Sequence, residues 1–333
     1  MQDALLLETA LRAAYQQAQA KRRSIRLPTN CRFSGSGKKV VLTLSSSAVT
    51  RNMQDDEAAF EAWLLALKAW GCIDDAELAW EPPADRNNGH YQRFLYRVVN
   101  FAGLFDWFRV NERSRSLLDD SRVRNPGSRR FLVNTAQNPQ NEPSKHSPES
   151  LLEQHLVESG WLARTFGLRP DRVGRQFPVG LFEGKVSGNG GSRVFTGGKS
   201  AIDLVAVDEQ RNRLWIFELK AGRNRPMGIV SELLFYVHFV LDLLSGRFGF
   251  DDEEAPRIKG RLHHQDLKSS GITELFGCFL APGFHPLLEH DRVVALLNCG
   301  QWQGDGDAMK VQFRLQALPT DVADLSATRS PVA

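Results

Sequence analysis

Apolar positions along the chain recur at helical spacing in some stretches and run together in others. Leu5, Leu6, Leu11 and Tyr15 follow a helical period and predict a helix over 3–23, which runs into the basic stretch Lys21–Arg26. Val40–Leu44 follows the Gly35–Gly37 turn and reads as a strand. Phe60, Trp63, Leu64 and Leu67 form the apolar face of a helix predicted over Asp55–Trp70, with Gly71 as its terminator. Tyr91, Phe94, Tyr96, Phe101, Phe105, Trp107 and Phe108 crowd residues 90–111; burial in a core is their expected role, and base stacking the alternative. Arginine-rich Arg109–Arg130 reads as a solvated loop, and Phe131–Val133 as a short strand beyond it.

The pattern then breaks. Asn134–Pro148 is dominated by Asn, Gln, Pro and Ser without any period, so it is the expected linker. Ser147 as N-cap, Pro148 at the first helical position and Glu149 in the first turn open a helix that runs to about Ser159, with Leu152 and Leu156 inward. Strands are predicted at Val173–Val179, Ala201–Val207 and Leu214–Lys220, with a glycine-rich segment, Gly184–Gly198, before the second. A long helix follows from Pro226, and Asp251–Glu254 begins a charged connection. Phe276–Ala281 reads as a strand, Asp291–Leu297 as a helix and Val311–Leu315 as a last strand. The expected organisation is an α+β domain over 1–135, a linker over 136–147, an α/β domain over 148–320 and a disordered tail over 321–333.

Composition narrows the class. With 333 residues, 42% hydrophobic and 24% charged, the chain suits a folded protein of about two domains. Cys31, Cys72, Cys278 and Cys299 lie far apart with no CxxC pair, which excludes a disulfide framework or a cysteine-pair zinc finger and fits a reducing compartment. A net charge of +3 permits a nucleic-acid partner without requiring one. Met227–Leu244 is apolar but interrupted by Glu232, His238 and Asp242, so it reads as a buried helix and not a membrane span. Met1–Leu7 carries Asp3 and only a short apolar run, Ala4–Leu7, so no secretory leader is expected and the location expected is cytoplasmic.

The chemistry concentrates in Ser200–Gly222. Two apolar strands flank the polar turn Asp208–Arg213, and a hairpin symmetric about that turn sets Asp203 opposite Glu218, Val205 opposite Ile216 and Val207 opposite Leu214. Alternation puts Glu218, Lys220, Ile216 and Leu214 on one face and Trp215, Phe217 and Leu219 on the other. Like charges opposed across a hairpin destabilise it. Two carboxylates so placed call for a cation, and a hard divalent ion such as Mg²⁺ takes oxygen ligands of this kind. The alternative is a strand end where both carboxylates reach solvent and Lys220 is a salt-bridge partner.

Asp203 followed by Glu218-Leu219-Lys220 at the end of an apolar strand resembles the PD-(D/E)XK nuclease superfamily. Glu149-Ser150-Leu151-Leu152-Glu153 resembles the helix-borne motif of its mismatch-endonuclease (EndoMS/NucS-like) branch. Gly174-Arg175-Gln176-Phe177-Pro178-Val179 is similar to the strand before that branch's metal-binding Asp, and Ser231-Glu232-Leu233-Leu234-Phe235-Tyr236 to its following helix, where Gln is usual in place of Glu232. Ile202, and not proline, precedes Asp203. The likeness covers about residues 148–245. It implies a restriction-endonuclease-like mixed sheet flanked by helices; the separate N-terminal α+β domain over 1–135 is expected to serve recognition, regulation or dimerisation. Asp203, Glu218 and the Leu219 carbonyl would bind Mg²⁺ or Mn²⁺. Lys220 would position or activate the attacking water, and Glu153, preferred to Glu149 as the motif's second Glu, would complete the site through a metal-bound water. The activity implied is a metal-dependent DNA endonuclease of repair or defence, with RNA also open as substrate and a homodimer or multi-subunit partner as context. A nuclease fold that binds nucleic acid or protein without cleaving is the alternative.

Other signals are weaker. Gly197-Gly198-Lys199-Ser200 fails as a phosphate loop, because Arg193 stands where its first glycine belongs and a strand follows. Arg175, Gln176, Lys185, Arg193, Lys199, Arg223 and Arg225 are the expected nucleic-acid contacts, Arg172 adding to the basic surface. His263-His264 lacks partners at ligand spacing, and His238 reads as a core histidine.

Overall fold

The computed structural model describes residues 2–19, 25–124, 127, 129–135, 147–187, 191–196, 200–208, 210, 212–222, 226–253, 255–269, 271–302, 309–319 and 322. In chain order the first elements are α1 (Gln2–Gln19), β1 (Cys31–Ser36), β2 (Lys39–Leu44), α2 (Phe60–Ala69), β3 (Asp75–Trp80), α3 (Gly89–Leu104), β4 (Phe108–Val110) and α4 (Glu112–Arg115). Next come β5 (Phe131–Val133), α5 (Pro148–Glu158), α6 (Trp161–Phe166), β6 (Leu168–Pro178), β7 (Leu181–Glu183), β8 (Ala201–Asp208) and β9 (Arg213–Leu219). The last are α7 (Gly228–Leu244), β10 (Phe248–Gly249), β11 (Lys259–Gly260), α8 (His264–Ser269), β12 (Glu274–Ala281), α9 (Arg292–Asn298) and β13 (Lys310–Ala317). Among the described residues, no helix is long and apolar enough to cross a membrane.

The chain groups into two compact units. The first is Met1–Gly127 with two later returns, Pro226–Glu232 and His285–Gln301; the second is Ser128–Arg225, Leu233–Phe284 and Trp302–Ala333. The expected linker, 136–147, lies outside the described residues except for Ser147, as does the expected tail except for Val322.

The first unit holds a four-stranded sheet in the order β1-β2-β3-β4, antiparallel at β1–β2 and parallel thereafter. Its hairpin needs glycine at position 35, where a Cβ would lie 2.1 Å from the Lys39 carbonyl oxygen. The aromatic stretch forms α3 and β4, with Tyr91, Phe94, Phe101 and Phe108 buried, so it is core. Asn88 caps α3 by accepting from the backbone N–H groups of His90 and Tyr91. The helix expected from Asp55 starts only at Phe60. Asp56 is held instead by the backbone N–H groups of Met227 and Gly228, and its carbonyl accepts from Trp63 Nε1.

The second unit is built on a six-stranded mixed sheet in the order β11-β6-β8-β9-β12-β13. Strands β6, β8 and β9 pair antiparallel, and β9, β12 and β13 pair parallel. Leu152, Leu156 and Leu162 of α5 and α6 pack with Leu204, Ala206, Trp215, Phe217, Leu219, Phe276 and Cys278 on one face. On the other face Gly277 leaves room for α7: a Cβ there would meet Val237 Cγ2 at 3.1 Å. A smaller sheet, β10-β5-β7, completes the unit. The glycine-rich segment folds inward where it is described. Val194 and Phe195 are fully buried, and Phe195 meets the rings of Phe235 and Phe239.

Candidate active site at the end of a β-hairpin

Strands β8 and β9 pair Leu204 with Phe217, Val205 with Ile216, Ala206 with Trp215 and Val207 with Leu214, the register of a symmetric turn. The paired register ends there; continued by one residue, it sets Asp203 opposite Glu218, on the face opposite the Leu204–Phe217 core. The side chains are tied into the hairpin at once. Asp203 Oδ2 accepts from the Leu219 backbone N–H at 2.8 Å. Glu218 is 1% exposed and its Oε1 accepts from Lys220 Nζ at 2.5 Å. Lys220 itself is held in line because its backbone N–H donates to the Leu280 carbonyl at 3.0 Å, extending the β9–β12 ladder.

Glu153 forms a second station. Ser147 caps α5 through the Ser150 N–H, with Pro148 in the first turn, and the inward face that buries Leu152 and Leu156 carries Glu153 with it. Glu153 is 2% exposed; its Oε1 accepts from Gln176 Nε2 at 2.8 Å, and its Oε2 is buried with no hydrogen-bond partner among the described residues. Burial pushes its carboxyl above the usual range, opposed by the Gln176 hydrogen bond and by the charges of Arg175 and Lys259. Gln176 lies between the pairs Arg175–Leu204 and Phe177–Ile202, hence across from Asp203, with φ at +54°. That left-handed backbone is uncommon outside glycine.

The structure thus gives two hydrogen bonds at this strand end, Leu219 N–H to Asp203 and Lys220 to Glu218, and a third that pairs Gln176 with Glu153. Among the described residues no three His, Cys, Asp or Glu side chains are gathered closely enough to hold a metal ion. Gln176, expected as a nucleic-acid contact, is the partner of Glu153. Arg175 is half-buried, Lys185 is exposed, and Arg193 is half-buried and bridges through its backbone to Phe182. Lys199, Arg223 and Arg225 lie outside the described residues. Arg172 is engaged by Asp266 at 3.1 Å. Glu232 is buried and accepts from Gln54 Nε2, while Tyr236 donates to the Ala201 carbonyl at 3.1 Å. Lys259 escaped notice in the sequence because β11 is only two residues long and carries no period.

No protein-family model, no curated protein and no solved structure matches this chain.

Proposed function

We propose that the chain is a divalent-metal-dependent nuclease that hydrolyses phosphodiester bonds, most simply as a DNA endonuclease. The observation that carries this reading is the β8–β9 register, which, continued one residue past Leu204 and Phe217, gathers Asp203, Glu218 and Lys220 at one end of the hairpin, beyond the apolar pairs Leu204–Phe217 to Val207–Leu214. The donors suit a hard cation: Asp203, Glu218 and the Leu219 carbonyl all offer oxygens, and the buried Oε2 of Glu153 has no hydrogen-bond partner among the described residues. A bound divalent ion would supply a hydroxide nucleophile and charge stabilisation at the phosphoryl oxygens. The chain's own part is to hold that chemistry in place. The Leu219 N–H fixes the Asp203 carboxylate, and Lys220, 14% exposed, keeps a positive charge beside Glu218 where a phosphate would approach.

The test is incubation of the purified chain with supercoiled plasmid, linear duplex, single-stranded DNA and RNA, each with Mg²⁺, with Mn²⁺ and with chelator. Wild type should cleave at least one of these with metal and none without. Asp203→Asn, Glu218→Gln and Lys220→Ala should each lower the rate by on the order of 100-fold or more, with a far smaller loss of affinity at one fixed salt concentration. If wild type binds nucleic acid but no divalent ion supports cleavage, the enzyme reading fails and a nuclease-fold binding module replaces it.

A further inference from the structure

On the opposite face of the same sheet, at the other end of β9, lies a cleft of about 380 Å³. Its floor is laid out in rows by parallel strands. Arg213, Glu274 and Lys310 stand side by side across β9, β12 and β13; Trp215, Phe276 and Gln312 form the next row; Arg314, beside Cys278, begins the third. Thr165 and Phe166 of α6 form a wall. Arg213 and Glu218 are five residues apart along β9, about 17 Å, so the cleft is separate from the carboxylates.

The side chains make a flat cationic stack. The Trp215 and Phe276 rings are stacked with centroids 4.3 Å apart and planes 12° apart. The Arg314 guanidinium lies over both, 5.4 Å from the indole centroid and 5.0 Å from the phenyl. Arg314 is exposed, and among the described residues no carboxylate pairs with it. Glu274 takes Arg213 at 3.0 Å and Lys310 at 3.9 Å, and Asp208 lies 3.9 Å from Arg213, so three cations face two carboxylates. Trp215, which lines the cleft, is 4% exposed, and its Nε1 is buried with no hydrogen-bond partner among the described residues.

We propose that this cleft binds a nucleotide unit, the base stacking on the outer face of the Arg314 guanidinium and the phosphate held by Lys310. Guanidinium planes and aromatic rings are platforms for unpaired bases, and a positive groove beside them tracks the phosphates. An acidic peptide would use the charges and leave the stack idle. The unit comes either from a free mononucleotide or from a single strand, and it does not depend on hydrolysis at Asp203 and Glu218.

The experiment titrates the full chain, in chelator so that nothing is cleaved, with a short fluorescein-labelled oligothymidylate by anisotropy and with AMP by calorimetry. Arg314→Ala should weaken the ligand that binds by about tenfold, the scale of one lost stacking contact. Lys310→Ala should lower the salt slope of strand binding by about 0.7, one phosphate's worth. Arg314→Lys should keep the salt slope and lose the affinity, because the charge remains and the plane does not. Both side chains are exposed, and circular dichroism checks that the variants fold. Because the titrations run in chelator, they read the cleft without hydrolysis, so a failed nuclease reading and a failed cleft are told apart. AMP binding lost in Arg314→Ala assigns the cleft to free nucleotides; an effect on the strand alone assigns it to a nucleic-acid strand. Absence of binding to either ligand, variants that bind as wild type does, or a preference for a polyglutamate peptide would overturn the proposal.

Discussion

Burial holds the Glu153 carboxyl above its ordinary range, and the Gln176 amide and the charges of Arg175 and Lys259 only partly pull it back. A carboxyl raised by folding favours the protonated native state. Its stabilising contribution is complete below the ordinary glutamate range and is lost as pH rises through the folded value. Glu153→Gln is neutral at every pH and keeps an acceptor for Gln176. It should therefore be more stable than wild type at neutral pH. Urea melts at neutral pH and near pH 4 check this: the advantage should fade toward the acid end. The residue type and helical position of Glu153 were legible from the cap at Ser147 and the period of Leu152 and Leu156. Its partner was not. Alternation along β6 assigns Gln176 to a face only if the backbone is extended, and a φ of +54° removes that premise.

Among elements, the β8–β9 hairpin was the most readable, because a polar turn between two apolar runs allows one register that keeps both faces consistent. Short strands were the least. β3 has the composition of a helix former, Asp-Ala-Glu-Leu-Ala-Trp, yet pairs in parallel with β2 and β4, contacts distant in sequence. The start of α2 was displaced for a similar reason, since Asp56 serves a backbone that arrives from Met227 and Gly228. Gly228 is the matching requirement: a Cβ there would lie 2.0 Å from the Gln54 carbonyl oxygen. Beneath this approach Glu61 of α2 meets Arg97 of α3 in a buried ion pair, 1% and 3% exposed, and accepts from Ser231 Oγ at 2.8 Å. Removing one member strands the other without water. Arg97→Met should cost about 3–5 kcal/mol in a chemical melt, whereas Arg109→Ala, whose partner Asp75 lies 3.8 Å away at the surface, should cost under about 1 kcal/mol.

For the whole molecule, a break in composition near residue 135 is visible in sequence, but the returns of Pro226–Glu232 and His285–Gln301 to the first unit are not. Their apolar residues fit any core, and only long-range packing assigns them. Each unit carries a histidine that burial keeps neutral. In the second, His238 stacks on Trp302 with centroids 5.0 Å apart and is pushed down to about 3. In the first, His285 meets the edge of Trp63 at 6.1 Å and is pushed down to about 4. A histidine depressed by folding contributes stability that is complete above its unfolded value, about 6.5, and is lost as pH falls below it toward the folded value. Each should lose up to about 1.4 kcal/mol for every pH unit in that window. Going from pH 7 to 5.5, each should therefore weaken its own unit by about 1 kcal/mol. His238→Phe keeps an aromatic ring against Trp302, and His285→Asn keeps an acceptor for the Leu287 N–H that His285 Nδ1 now receives at 3.3 Å. Either substitution changes absolute stability, so the readout is the difference between melts at the two pH values. His238→Phe should flatten it for the second unit and His285→Asn for the first. A double variant as acid-sensitive as wild type would assign the loss to other groups.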